Sequence, residues 1–197
     1  MYYIGGGDIL KRFAIKMSKV FRRLLIFIGF SILLTLFFWW NYQRTKEDIY
    51  LTLFITLLTV SYHFLMRVIV GEVVTLIYQQ RDFRYDCFWW KPHPFEHKMY
   101  RFLRVKRWKL HMITAKPEQF DIRKRTIEEL LHNMTQAELV HEIIMVLSFV
   151  PIVLIHWFGA ASVFILTSIV ACLIDSIFVI MQRYNRPRVM RMRRRRS

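Results

Sequence analysis

Two short stretches carry residue types able to do chemistry at spacings a helix can use. In "AELVHE", Ala137–Glu142, the side chains of Glu138 and His141 lie three residues apart, with Glu142 four from Glu138, so the three share one helical face. An imidazole held by a carboxylate is a general base poised near neutral pH. Thr126 with Glu129 and Thr135 with Glu138 both have capping-box spacing, and the second predicts a membrane helix beginning close to Thr135. That start would set the three groups where the helix enters a membrane, and ionisable side chains there are costly unless they pair or act. The plainer reading is an interfacial first turn whose acids suit the helix dipole. The second stretch is "QRYNRP", Gln182–Pro187, with Arg188 directly after it. Pro187 predicts a helix end near Arg186, which would hold Arg183, Tyr184 and Asn185 in the last turn, where cations are favoured. A generic stop signal needs only charge; it does not need Tyr, Asn and Pro in one order.

Other candidates weigh less. Asp175 sits inside an apolar run, and Arg67 or His63, four residues apart on one helical face, could pair with it to hold helices together. Glu72 lies one turn past Arg67, and the sequence assigns it no role. "HPFEH", His93–His97, spells the H-x-x-E-H pattern of inverted zinc proteases. Pro94 fits only a first helical turn, which pushes His93 to the cap position and spoils ligation, so no metal site is expected. The run "RFLRVKRWKLH" is basic with interleaved aromatics, but between membrane segments it suits anionic headgroups or a phosphorylated ligand better than nucleic acid. Cys87 and Cys172 lie in unlike surroundings and suggest neither a disulfide framework nor a thiolate site.

These residues need elements to position them, and composition says which. The 197 residues are 55% hydrophobic yet carry a formal charge of +16, a combination natural to a membrane protein with charged loops. Four segments are long and apolar enough to span: Leu24–Trp40, Ile49–Tyr78, about Leu139–Phe158 and about Ala160–Met181. No small-residue cleavage site follows the first, so it reads as a span and not as a signal peptide. Only "WFGA" separates the last two, which predicts a tight antiparallel hairpin. Of the 30 lysines and arginines, all but Arg44, Lys46 and Arg67 fall in residues 1–23, 81–136 and 182–197, segments that four spans place on one side. The positive-inside rule makes that side, with both termini, cytoplasmic at the cell membrane. The expected fold is therefore an all-α integral membrane protein of about four transmembrane helices. An amphipathic helix in the headgroup region is expected from Phe95, Met99, Phe102 and Leu103. The chain divides into a basic N-terminal segment with the first helix pair (1–80), a cytoplasmic interfacial region (81–138) and a C-terminal transmembrane hairpin with a basic tail (139–197).

The string "QRYNRPR", with "AELVH" some forty residues earlier and "FE…VKRWK" before that, resembles the glycosyl-4,4'-diaponeurosporenoate acyltransferases, over roughly residues 83 to 190. That resemblance implies a membrane enzyme that esterifies a fatty acid onto the sugar of a glycosylated carotenoid. It carries over Phe95 and Glu96, Val105, Trp108 and Lys109, Glu138 and His141, and Arg183 through Arg188. It implies a catalytic set of His141, Glu138, Arg183, Asn185 and Arg186, and substrate contacts from Glu96, Trp108, Lys109, Tyr184 and Arg188. In the expected mechanism His141, oriented by Glu138, takes the proton of a glycolipid hydroxyl, while Arg183, Asn185 and Arg186 donate to the oxyanion or to donor phosphates. No cofactor is implied beyond an acyl donor, acyl-CoA or another thioester, whose phosphates Lys106, Arg107 and Lys109 could hold. Membrane lipids and the carotenoid glycoside or glycolipid acceptor are the other expected partners, without nucleic acid. The alternatives are another lipid-modifying transferase or a non-catalytic protein that binds anionic lipid.

Overall fold

A computed structural model of the chain describes residues 19–78, 83, 87–109, 112 and 117–194, and every element among them is helical. The long helices are α1 (Lys19–Thr45), α2 (Asp48–Tyr78), α5 (Ile127–Leu147) and α7 (Ala161–Arg194). Between α2 and α5 lie two short helices, α3 (Pro94–Phe102) and α4 (Val105–Trp108), with a 3-10 turn on either side, Phe88–Trp90 and Pro117–Phe120. A third 3-10 turn, Val150–Leu154, and the single-turn α6 (Ile155–Phe158) lead into α7.

Four helical segments are long and apolar enough to cross a bilayer, and the protein is a multi-pass membrane protein. Burial is inverted in the way a lipid solvent requires. In α1 the small polar Ser31 and Thr35 are buried while Ile26, Phe30, Leu33 and Leu36 face outward. Ser31 Oγ meets Ser61 Oγ of α2 at 2.7 Å, and Thr35 donates to the Ser31 carbonyl at 2.8 Å. Lipid tails offer no hydrophobic drive between helices, so close-packed hydroxyls seal this seam.

Three helices form the centre, with α5 lying antiparallel to α7 and α2 packed against both. Phe54 and Ile55 of α2 cluster with Phe164, and Arg67 further along α2 reaches Ala171 and Asp175, so α2 and α7 run the same way. Both hairpin turns therefore sit at one end of the bundle, and the Tyr78, Ile127 and Arg194 helix ends sit at the other. The α6–α7 turn needs Gly159, whose φ of 67° and ψ of −117° suit a residue without Cβ.

Three boundaries differ from expectation: those at Thr135 and Pro187, and the third span, expected to run from about Leu139 to Phe158, whose helix ends at Leu147. Thr135 caps nothing: α5 begins two turns earlier, at a complete capping box between Thr126 and Glu129, and the Thr135 hydroxyl bonds back to the Leu131 carbonyl at 2.9 Å. Nor does Pro187 end α7, which continues to Arg194. The ring removes one backbone bond, but Gln182 and Arg186 on the preceding turn are buried and anchored, so tertiary contact carries the helix across the defect. At Pro151 the same chemistry does break a helix. The Leu147 carbonyl that this proline cannot satisfy accepts instead from the Tyr62 hydroxyl of α2 at 2.9 Å.

The amphipathic helix expected near residue 95 is α3, with His93 at its N-cap and Pro94 in its first turn. Its buried face is polar, formed by Glu96 and Tyr100, whereas Phe95 and Phe102 point outward, Phe102 being 86% exposed. Leu110, in the ambiguous stretch after α4, and the terminal Arg195 and Arg196 lie outside the described residues.

Candidate active site

The charged residues singled out in the sequence assemble into two adjoining clusters along the α5–α7 interface. The larger is a carboxylate–guanidinium lattice. Glu138, fully buried, receives Arg183 Nη1 at 2.8 Å on one oxygen and Arg186 Nη1 on the other. Glu96 of α3, also buried, receives Arg183 Nε at 3.0 Å and Nη2 at 2.6 Å, and Tyr100 donates to its second oxygen at 2.6 Å.

The remaining guanidinium donors go to the backbone ahead of α3. Arg183 reaches the carbonyls of Trp89 at 3.0 Å and Lys91 at 3.2 Å, and Arg186 reaches that of Trp90 at 2.6 Å. All five N–H donors of Arg183 are thus taken. Buried charges persist only when paired and hydrogen-bonded, and here two acids and two arginines satisfy that rule together. The lattice fastens the segment holding Trp89–Lys91 and α3 onto the ends of α5 and α7. Burial by itself would raise the Glu96 pKa, but the bonds from Tyr100 and Arg183 and the charge of Arg183 outweigh it and hold the carboxyl below its ordinary value. Burial, followed by the bond to Glu96, pushes the Tyr100 phenol upward, so it stays a donor.

The second cluster lies deeper. His141 Nδ1 is 2.8 Å from Asp175 Oδ1, and Arg67 pairs with the other Asp175 oxygen. Arg67 also donates to the His63 carbonyl at 2.8 Å, and Phe178 stacks on the imidazole at 4.6 Å. A carboxylate only accepts, so with Asp175 paired to Arg67 through its other oxygen the imidazole takes the tautomer that donates from Nδ1. Its Nε2 then carries the lone pair and has no hydrogen-bond partner among the described residues, on a side chain 21% exposed. Asp175 lies about 21 Å along α7 from Ala161 and Arg183 about 33 Å, at 1.5 Å per residue. Counted from Ala161, Asp175 therefore falls within, and Arg183 beyond, the length of helix that crosses a hydrocarbon layer of about 30 Å.

The structure thus brings His141, Glu138, Arg183 and Arg186 together but pairs them differently from expectation. Glu138 turns to the arginines and not to His141, Asp175 takes the place expected for Glu138, and Glu142 accepts from the Trp89 indole at 2.8 Å. Three residues apart on a helix, Glu138 and His141 are about 60° apart around the axis, enough for each to meet a different turn of α7.

Of the remaining expected contacts, Lys109 donates to Asn185 at 2.8 Å and lies 4.9 Å from the centre of the Tyr184 ring. Burial and the charge of Arg188 lower the Lys109 pKa. Arg188 covers Tyr184 at 3.9 Å. Trp108 stands apart: its indole donates to the Leu103 carbonyl at 2.9 Å and staples the α3–α4 turn. His93 packs on Phe88 and Phe95, and no three metal-ligating side chains converge among the described residues.

Sequence reasoning did not find the Trp89–Lys91 carbonyls, because backbone acceptors carry no residue-type signal, nor Tyr100. The i, i+4 spacing of Glu96 and Tyr100 could have revealed the latter. His63 is buried with neither ring nitrogen partnered among the described residues, so it is not the group that pairs with Asp175.

Comparison with known proteins identifies a family. The family model of glycosyl-4,4'-diaponeurosporenoate acyltransferase matches residues 77–195, a range that takes in every residue of both clusters except Arg67 and His63. No curated protein and no solved structure matches the chain.

Proposed function

The chain belongs to the glycosyl-4,4'-diaponeurosporenoate acyltransferase family, and from that premise we propose that it esterifies a fatty acyl group onto the sugar hydroxyl of a glycosylated carotenoid or similar membrane glycolipid, with His141 as general base. The observation that carries the assignment is the His141–Asp175 pair. It is an imidazole fixed through Nδ1 by a carboxylate that also pairs with Arg67, with Nε2 left available. Base assistance of this kind is worth about 10²–10⁴-fold.

The chemical step is a displacement at an acyl thioester. Nε2 takes the proton of the acceptor hydroxyl as its oxygen attacks the thioester carbonyl. The tetrahedral intermediate then collapses, the C–S bond breaks, and the imidazolium returns the proton to the leaving thiolate. Asp175 stabilises the imidazolium while it lasts. Arg183 acts here as a clamp and not as a free oxyanion donor, because all five of its N–H groups are committed to Glu96, Glu138 and the Trp89 and Lys91 carbonyls, while Arg186 gives one N–H to Glu138 and one to the Trp90 carbonyl. The described basic residues from Lys91 to Arg125 and from Arg183 to Arg194 lie toward the same end of the bundle, which supports a cytoplasmic placement of that end.

The test is His141→Ala expressed in cells that make the acceptor, with total lipids and pigments read by mass spectrometry. Loss of the species heavier by one acyl group, with the variant inserted and folded, is expected. Full acyl transfer by that variant would remove His141 from the role.

A further inference from the structure

Beside α3 and α4 a cleft of about 420 Å³ is bordered by the exposed Arg101, Arg104, Lys106 and Arg107, with His97, Tyr100 and Tyr184 completing its wall. None of the four cationic side chains has an ion pair or hydrogen bond among the described residues, in contrast to Arg183 and Arg186 a short distance away. The cleft is built and not merely a basic stretch of surface. Arg104 holds the left-handed conformation at φ 51°, Val105 directly after it is fully buried, and the Trp108 indole ties back to the Leu103 carbonyl. That turn swings α4 back so that two cations from each side of it converge on one hollow. A non-glycine residue held at positive φ stores strain, and strain of this kind clusters at ligand sites.

A second cleft of about 300 Å³ is linked to the first through Tyr184, which lines the first and carries on its ring two cations that line the second. Its floor is apolar, with Met112, Phe120, Leu130 and Met134, and Lys109 and Arg188, the two cations packed on that ring, lie at its edge. A polycationic hollow linked to an apolar one fits a ligand that is multiply phosphorylated at one end and a fatty chain at the other.

We propose that the basic cleft is a phosphate site, and that it holds the phosphates of a soluble acyl thioester while the acyl chain lies toward the apolar side of Tyr184. The identity of the ligand rests on the acyl-transfer reading; the phosphate chemistry rests on the cleft alone. Phosphate esters could reach the cleft from a soluble thiol carrier or from an anionic lipid headgroup, and arginine binds either through paired N–H donors.

The experiment uses the full chain in phosphatidylcholine nanodiscs, titrated with coenzyme A and, separately, with pantetheine, which lacks phosphate. Saturable binding of coenzyme A and none of pantetheine is expected. Replacing Arg101, Arg104 and Arg107 together by Gln should weaken coenzyme A binding by about tenfold or more, given the strength of charged hydrogen bonds. Removing equal charge elsewhere, with Arg22→Gln, Arg123→Gln and Lys124→Gln, should change it by less than about threefold, since screened distant charges contribute little. The three cleft arginines are exposed and carry no structural bond, so their loss should leave the fold intact. Absence of saturable coenzyme A binding together with no cleft-dependent retention of phosphatidylglycerol, or equal weakening by both triple variants, overturns the site. Phosphatidylglycerol retained by the wild type and lost from the cleft variant in native mass spectrometry, with no coenzyme A binding, makes it a headgroup site and overturns the soluble donor. Coenzyme A binding without acylated product in cells would instead sink the acyl-transfer reading and leave the site standing.

Discussion

Glu138→Gln tests whether the arginine lattice is what docks the interfacial segment. The substitution keeps size and shape but removes the charge that faces Arg186, which is 2% exposed, and Arg183. Breaking a buried pair by removing one partner costs about 3–5 kcal/mol, because the other charge is left uncompensated. Arg183 keeps Glu96, so the lower end, about 3 kcal/mol, applies. For a chain of this size 1 kcal/mol moves the midpoint by about 2–4 °C, which gives a loss of about 6–12 °C. The assay is thermal unfolding in detergent micelles followed by tryptophan fluorescence, which Trp89 and Trp90 report locally. Glu138→Leu combined with Arg186→Leu should recover at least half of the loss, since an apolar pair of similar volume often replaces a buried ion pair without penalty. A midpoint for Glu138→Gln within about 2 °C of the wild type would refute the reasoning.

Asp175→Asn should abolish most acyl transfer, since the amide cannot hold the imidazole in the Nδ1–H tautomer or stabilise its cation, and it also leaves Arg67 unpaired; lipid mass spectrometry together with a thermal midpoint reads both effects. Lowering pH should release α3 late: a carboxyl held below its ordinary 4.5 contributes fully above that value, and its contribution is lost only as pH falls through the lower folded-state pKa. Tryptophan fluorescence against pH checks this, and an equal transition in Glu96→Gln would contradict it. Gly159→Ala should destabilise the α6–α7 turn by about 1 kcal/mol or more, read as a drop in thermal midpoint, because its backbone conformation penalises a Cβ.

Much of the helix content was legible because spans write themselves in length and apolarity. A run such as Ile49–Tyr78 has to satisfy its backbone internally in lipid, so a single long helix is the outcome, and α2 is one. The short "WFGA" connection forced the α5–α7 hairpin for the same local reason. Where the reading slipped, a local rule met a tertiary contact. Thr135 and Glu138 have capping-box spacing, yet the stronger box at Thr126 begins the helix, and Thr135 is buried in its middle. Pro187 carries a real cost, yet the anchoring of Arg186 by Glu138 and the Trp90 carbonyl carries the helix past it.

What the sequence determined by itself is the solvent, the number of crossings, the family and the roster of charged residues that have to be satisfied, because each of these follows from composition or short-range order. Only the tertiary structure decided who satisfies whom. Glu138 and His141 are neighbours on one helix, but their partners lie at two different turns of α7, Arg183 and Arg186 at one and Asp175 at the other. A buried charge is settled by whichever opposite charge packing delivers to it, and that delivery depends on how α5 and α7 cross and on the 89–91 carbonyls and Arg67 arriving from elsewhere in the chain, none of which is written in residue spacing.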